Sequence, residues 1–171
     1  YDGVQERLDP TNQEIQVKAP CLMVGYYKEP GLTKDAFTAD GWLRTGDVAS
    51  VDPKGRIRLV DRTKDLIKSG GEWISSVEIE NELMSHPKIK EAAVVGVTHP
   101  KWSERPLACV VLNPGETLTK EEVLDYVRPR LAKWQVPDDV VFIDEVPKTS
   151  VGKFSKKTLR EQYADYVLPD A

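Results

Sequence analysis

The sequence is poor in cysteine and histidine, the residue types that most often build metal sites in proteins of this size. Its 171 residues include two of each. Cys21 and Cys109 each lie within an apolar run, so both are expected to be buried free thiols rather than a disulfide or metal ligands. His86 and His99 each precede a proline, which predicts structural residues at the ends of elements. We predict no metal site in this chain.

A basic excess and a long hydrophobic run are also missing. The net charge is −4 at pH 7, which gives no reason to expect nucleic acid as a partner. No apolar run approaches membrane-spanning length. Hydrophobic residues make up 40% and charged residues 30%, values typical of an ordered globular protein. Free thiols suit a reducing cytosol, and Tyr1 is not a methionine start, so we expect a cytoplasmic protein whose sequence begins inside something larger.

The first 60 residues alternate short strand patterns with turns. Residues 14–19 alternate polar and apolar side chains, as a half-buried strand does. Residues 47–51 and 56–60 are further strand patterns, and the Asp-Pro-Lys-Gly sequence between them has the proline and glycine of a tight turn. We therefore predict a β-hairpin within a β-rich piece of a larger domain.

After Val60 the pattern changes to α+β. Three continuous apolar runs predict core strands: residues 92–97, 107–112 and 140–143. Three capping residues predict helix starts: Ser75, Thr119 and Ser155. We expect a small α+β domain over residues 66–171, with a central three-stranded sheet and flanking helices, after a joint at residues 61–65.

Two segments near this joint have residue types that a core does not require. Residues 41–47 (GWLRTGD) place Asp47 at a turn, where its carboxylate can accept two hydrogen bonds from a ribose diol, although an ordinary turn aspartate also fits. Residues 61–68 (DRTKDLIK) are mostly charged, which suits a hinge or a solvated linker. Arg62 offers a planar donor fork, and Lys64 and Lys68 offer point charges for phosphate.

Two later segments are rich in glycine. In residues 69–74 (SGGEWI), paired glycines let a backbone approach a ligand or another strand closely. The neighbouring Trp73 either covers a flat base or a thin pantetheine chain, or is a core tryptophan. Residues 147–154 (PKTSVGKF) form a loop that presents Lys153 just before a helix. A lysine on a mobile loop can offset negative charge when a carboxylate attacks a phosphate.

In this order and spacing, the four segments resemble the late signature motifs of the AMP-forming adenylate superfamily. That superfamily includes acyl-CoA synthetases, firefly-type luciferases and the adenylation domains of peptide synthetases. The resemblance covers nearly the whole chain, because residues 25–30 (GYYKEP) match the stretch before the Thr-Gly-Asp motif. Residues 61–76 are most similar to medium- and long-chain fatty acyl-CoA synthetases, and Trp73 matches mainly that subgroup. The resemblance thus identifies a C-terminal part of such an enzyme.

The resemblance implies a domain organisation and a set of nucleotide contacts. Residues 1–60 would be the β-rich end of the large adenylation domain, 61–65 a hinge, and 66–171 a mobile C-terminal domain. Their nucleotide contacts would involve five residues: Asp47, Arg62, Lys64, Lys68 and Trp73. Asp47 would hold the ribose hydroxyls of ATP or AMP with help from Arg62, and Lys64 would also lie at the hinge.

Further residues would serve the two chemical steps. Lys153 would be the catalytic lysine of adenylate formation, and Gly70 and Gly71 would let the strand pass the pantetheine arm of CoA. Mg²⁺ would be bound through the N-terminal domain, whose phosphate loop, acidic ligand and acyl tunnel do not occur in this sequence. The isolated chain is therefore expected to fold without catalysing the reaction.

The activity implied by the resemblance is fatty acid–CoA ligation through an acyl-adenylate. ATP and CoA would be substrates, with AMP and diphosphate as products, and the fatty acid and the enzyme's own N-terminal domain would be partners. A homodimer of the full-length enzyme and peripheral membrane association are compatible with this reading. Two alternatives stay open: an adenylating enzyme that loads a carrier protein, and a non-catalytic α+β interaction module.

Overall fold

The computed structural model describes residues 3–169 and divides the chain into two compact units. The first unit is Tyr1–Lys64 and the second is Asp65–Ala171, so the boundary falls within the predicted joint at residues 61–65. Among the described residues, every helix is too short or too polar to cross a membrane.

The first unit is built on an antiparallel sheet. Within residues 3–64, four strands pair in sequence order: β1 (Gln5–Leu8), β2 (Glu14–Lys18), β3 (Leu43–Val51) and β4 (Ile57–Arg62). A short helix, α1 (Pro30–Ala36), begins with a proline in its first turn, where a missing backbone N–H costs little. The predicted hairpin is confirmed: Val51 pairs with Ile57, and the Asp52 carboxylate accepts the backbone N–H groups of Lys54 and Arg56 at 2.8 and 2.9 Å.

The second unit is an α+β domain, as predicted. Within residues 65–169 its elements are β5 (Ile67–Ser69), β6 (Glu72–Ile74), α2 (Ser76–Met84), β7 (Ile89–His99), β8 (Ser103–Leu112), α3 (Lys120–Val127), β9 (Asp139–Phe142) and α4 (Lys156–Gln162). The three predicted core strands are β7, β8 and β9. Along β8, β7 pairs antiparallel on one side and β9 pairs parallel on the other, and the β5–β6 hairpin extends this sheet to five strands in the described region.

Both faces of the β7–β8 hairpin are covered, which explains why these strands read as continuous apolar runs. Alternate residues contribute to two separate clusters. Val94 and Val110 pack towards α2 and α3, whereas Val95 and Cys109 pack in the cluster that contains Leu159 of α4. All four of these strand side chains are at most 1% exposed. Burial of each aliphatic side chain of this size contributes about 1.5–3 kcal/mol, so this two-sided core is the main source of stability in the unit.

The helix starts follow the sequence signals with one difference. Thr119 and Glu122 form a complete capping box at α3, and the Ser75 hydroxyl accepts the backbone N–H of Glu78 at α2. Ser155 lies at the capping position of α4, but its hydroxyl contacts the Thr158 hydroxyl at 2.9 Å and makes no side-chain capping bond. The beginning of α4 must therefore be fixed by other contacts.

The prediction that both cysteines are buried was wrong for Cys21. Cys109 is fully buried in β8, but Cys21 is exposed because its apolar run forms a turn after Pro20 rather than a strand. Both histidines are structural: the His86 ring packs edge-on against Tyr126 at 4.6 Å, and His99 Nδ1 accepts the backbone N–H groups of the turn that follows β7.

The two thiols should differ strongly in reactivity. Burial first, and then the negative charge of Glu80, raise the pKa of Cys109 from 9.0 to about 12, so its reactive thiolate form is scarce at neutral pH. Iodoacetamide at pH 8 is expected to alkylate Cys21 alone in the native chain and both residues in urea, as read by peptide mass spectrometry. A Cys21→Ser chain is the control and should take up no label until it unfolds. Equal labelling of both thiols in native protein would contradict this fold.

Candidate functional site

Asp47 and Arg62, predicted to act together, do lie together in the first unit. They are direct cross-strand partners in β3 and β4. Arg62 Nε forms an ion pair with Asp47 Oδ1 at 2.9 Å and donates its hydrogen bond to the Gly46 carbonyl at 3.1 Å. The Asp47 side chain is 35% exposed and that of Arg62 is 54% exposed, so this carboxylate is oriented by a guanidinium and still open to a ligand.

A buried carboxylate that the sequence did not point to supports this turn. Glu14 of β2 is 4% exposed, and its Oε1 accepts the backbone N–H of Gly46 at 2.9 Å. Gly46 has φ +74°, a conformation that favours glycine. Thr45 adds a second brace, since its hydroxyl donates to the Ile15 carbonyl at 2.8 Å. On β2 a polar side chain is therefore buried, since Glu14 accepts the backbone N–H of the Thr-Gly-Asp turn.

In the second unit, the paired glycines form the turn of the β5–β6 hairpin. Gly70 and Gly71 have φ of +59° and +97°, the pattern of a two-residue type I′ turn. Lys68 and Trp73 are cross-strand partners, with the Lys68 ammonium 5.8 Å from the centre of the indole ring. Trp73 is 43% exposed, so the core-tryptophan alternative was wrong. Both side chains are presented to solvent.

A cavity of about 440 Å³ lies beside this turn, wholly within the second unit. Its lining combines two indole rings with charged side chains: Ser69, Gly70, Glu72, Trp102, Arg105, Lys133, Trp134 and Asp138. Gly70 is in close contact with one wall, since a Cβ at this position would lie 2.7 Å from Trp102 Cε3. The absence of a side chain at Gly70 therefore determines where the Trp102 ring can sit.

Arg105 organises the other wall. Its side chain is 11% exposed, and its Nε donates to both carboxylate oxygens of Asp138 at 2.9 Å. Its Nη1 donates to the Ser69 hydroxyl at 2.9 Å and to the Trp134 carbonyl at 2.8 Å, which ties the glycine turn to the segment that carries Trp134. The sequence did not identify Arg105, because its partners are about thirty residues away on either side.

Lys153 is exposed on an ordered turn rather than on an irregular loop. Lys148 and Phe154 form a β-bridge at its base. Within the turn, the backbone N–H of Thr149 donates to the Lys153 carbonyl at 2.7 Å, and the backbone N–H of Lys153 donates to the Thr149 hydroxyl at 3.2 Å. Lys153 is thus presented to solvent by a folded scaffold, while the predicted hinge residue Lys64 is exposed at the end of the first unit.

Comparison with known proteins places part of the second unit in a family. Residues 78–153 match the model of the AMP-binding enzyme C-terminal domain. This region of the chain belongs to that domain family. The long-chain-fatty-acid–CoA ligase of Thermus thermophilus is 56% identical over 154 residues, which cover 90% of this chain and 28% of that protein. The 3-methylmercaptopropionyl-CoA ligase of Ruegeria lacuscaerulensis is 46% identical over 165 residues, covering 96% of this chain and 29% of the relative.

The fold also agrees with that of a solved structure. ATP-bound MatB from Rhodopseudomonas palustris superposes with a TM-score of 0.85 and 35% identity over 95% of this chain and 34% of the MatB chain. This chain thus spans less than a third of the length of the curated relatives named here. Among residues 3–169, no group of three or more His, Cys, Asp or Glu side chains is arranged to hold a metal ion, so we assign none of them to the Mg²⁺ that the family resemblance implies.

The contact between Gly70 and Trp102 yields a paired test. Gly70→Ala and Gly71→Ala both force a non-glycine residue into a left-handed conformation, which costs about 1–2 kcal/mol. Only Gly70→Ala also places a Cβ against the Trp102 ring, whereas the position at Gly71 is open. Urea unfolding of the full chain should show Gly70→Ala to be less stable than Gly71→Ala by a further ~1–3 kcal/mol. Equal losses in the two variants would show that Trp102 does not pack against this turn.

Proposed function

We propose that this chain serves in an ATP-dependent acyl-CoA ligase that joins a fatty acid to CoA through an acyl-adenylate, with release of AMP and diphosphate. Family membership and the CoA ligase names of its relatives support the reaction class. The observation that carries the proposal is the exposed ammonium group of Lys153 on a turn that the backbone folds in advance. An ammonium group on such a turn can stabilise negative charge at a reaction centre, because the turn need not rearrange when the reaction occurs.

Lys153 would act in the first half-reaction. When the fatty carboxylate attacks the α-phosphate of ATP, negative charge increases on the phosphoryl oxygens in the transition state. A lysine ammonium close to those oxygens lowers the barrier, since it interacts more strongly with the transition state than with the ground state. Asp47 would hold the ribose diol while Arg62 keeps its carboxylate oriented, and Lys68 and Trp73 would provide a cation and a flat surface for the nucleotide.

CoA would be the acceptor in the second half-reaction. The cavity beside Gly70 has indole rings from Trp102 and Trp134 and the ammonium group of Lys133, a combination that suits a flat purine carrying phosphates. Asp138 opposes anion binding less than its charge suggests, because Arg105 neutralises it. The glycine turn beside the cavity leaves room for the thin pantetheine arm. These features favour CoA over a carrier protein as the acceptor.

The first step uses groups on both units and the second step uses the cavity of the second unit, and we propose that residues 61–65 are the hinge that lets the second unit serve both. The acyl group is assigned as a fatty acid from the wording of residues 61–76 and from the Thermus thermophilus relative. The Ruegeria lacuscaerulensis relative is named for a different acyl group and also for CoA. CoA as the acceptor is therefore supported by both relatives, whereas a fatty acid as the acyl group is supported by one. A cytoplasmic location is part of this proposal and is supported by the free thiols of Cys21 and Cys109.

Replacing Lys153 tests the first half-reaction. The full 171-residue chain can be joined to the Thermus thermophilus ligase in place of its matching region, giving a chimera that carries both domains. In this chimera, Lys153→Ala is expected to slow acyl-adenylate formation about 10²- to 10³-fold, measured as diphosphate release in a single turnover. Thioester formation from preformed acyl-adenylate and CoA should change little. The control is Lys157→Ala, which removes another exposed lysine nearby, and equal rates in the two variants would contradict the role of Lys153.

The acceptor cavity is tested by a second pair of variants in the same chimera. Trp134→Ala should raise the KM for CoA about 5- to 150-fold, the effect expected when one base loses its aromatic partner, and should leave the KM for ATP unchanged. Trp73→Ala should raise the KM for ATP and leave the KM for CoA unchanged, because Trp73 is assigned to the nucleotide. If Trp134→Ala left the CoA dependence unaltered, the cavity would not be the acceptor site.

A further inference from the structure

The turn that carries Lys153 is followed at once by a buried ion pair. Lys156, the first residue of α4, has a side chain that is 11% exposed, and its ammonium nitrogen lies 2.7 Å from Glu80 Oε1 of α2. The Glu80 side chain is 8% exposed. The Lys156 ammonium also donates to the Ser76 hydroxyl at 2.7 Å. Lys156, Glu80 and Ser76 together form what we call the α4 anchor.

The α4 anchor joins three elements at one carboxylate. Glu80 Oε1 accepts the backbone N–H of Val94 at 2.7 Å in addition to the Lys156 ammonium. Val94 lies in β7, the outer strand of the sheet in the described region, where its N–H would otherwise be buried without a strand partner. The start of α4 is therefore held against both α2 and β7.

The other side of the turn is fastened to the same strand. Lys148 Nζ lies 2.9 Å from Glu91 Oε1 of β7, and its hydrogen bond holds the pKa of Glu91 below the ordinary value of 4.5. Lys148 precedes Lys153 by five residues, and Lys156 follows it by three. Because three residues span at most about 11 Å, the α4 anchor limits how far the Lys153 backbone can move from β7.

The helix itself constrains its own beginning only weakly. It has seven residues, too few to be stable without tertiary contacts, and its Ser155 makes no side-chain capping bond. Leu159 is fully buried one turn later and fixes the helix axis, but it does not fix the position of the preceding turn. A second ion pair, Arg160 Nη1 to Asp65 Oδ1 at 2.6 Å, holds the next turn of α4 to the residue that follows Lys64.

A buried ion pair is an unusual choice if stability is the sole requirement, since well-packed apolar residues of similar size often stabilise a protein as much or more. What a charged pair adds is a defined geometry. We infer that Lys156 and Glu80 are positioning residues for Lys153: their ion pair fixes the start of α4 and so places the Lys153 ammonium for acyl-adenylate formation. This inference rests on the proposed function, specifically on Lys153 acting in the first half-reaction.

The double variant Lys156→Met/Glu80→Gln in the Thermus thermophilus chimera separates positioning from stability. It removes both charges together, and the amide oxygen of the introduced glutamine can still accept the Val94 N–H, so the thermal midpoint should stay close to that of the parent. Acyl-adenylate formation is nevertheless expected to fall about 10- to 100-fold, because a displacement of about 1 Å at a reacting group has an effect of this size. Thioester formation from preformed acyl-adenylate and CoA should keep the parent rate.

The controls make each outcome decisive. Lys157→Met removes the neighbouring lysine, whose pairing with Glu161 at 3.8 Å is exposed, and should leave both half-reactions unchanged. Parent-like adenylate formation in the double variant, or an equal fall in both half-reactions, would overturn the positioning role. A Lys153→Ala chimera measured alongside distinguishes the two proposals. If Lys153→Ala forms adenylate at the parent rate, the proposed function of Lys153 is wrong. If Lys153→Ala is slow and the double variant is not, only the positioning role is wrong.

Discussion

The carboxylate of Glu80 is the contact on which the geometry of the second unit depends. It receives the Lys156 ammonium and the Val94 backbone N–H at 2.7 Å each, so one side chain connects α2, β7 and α4. A carboxylate can do this because it accepts several hydrogen bonds at once, whereas an apolar residue could fill the space without specifying which groups meet. The position of the Lys153 turn at the surface follows from this buried contact.

The two-sided core explains how the exposed Lys153 turn can be held in place without being buried. The β7–β8 hairpin carries apolar side chains on both faces, and α4 packs on one of them through Leu159. The Lys153 turn projects from this sheet, held on one side to Glu91 of β7 by Lys148 and on the other side to Glu80 of α2 by Lys156. The glycine turn and its cavity lie at the β5–β6 hairpin of the same sheet, where Arg105 holds the Trp134 segment against Ser69. The packed sheet thus supports the Lys153 turn, while the turn itself stays open to solvent.

The sequence predicted those features that depend on neighbouring residues. The apolar runs of β7, β8 and β9, the capping box at Thr119 and the hairpin between β3 and β4 are local patterns, and all are confirmed. The family resemblance implies that Asp47 and Arg62 act together, and they form an ion pair. Contacts between distant residues were not predicted. Lys156 and Ser76 are 80 positions apart, and no local sequence pattern predicts that they are in contact. Cys21 was misassigned because a short apolar run does not distinguish a strand from a turn.

The Lys153 turn is folded in advance by its own backbone and by the α4 anchor. Amide hydrogen exchange of the full chain, followed by NMR, tests this most directly at Gly152, Lys153 and Ser155, whose N–H groups donate within the turn. We predict that these amides exchange well below their rates in the urea-unfolded chain, and that protection decreases in the Lys156→Met/Glu80→Gln variant while β8 stays protected. Exchange at unfolded-chain rates in the unmodified protein would contradict the account.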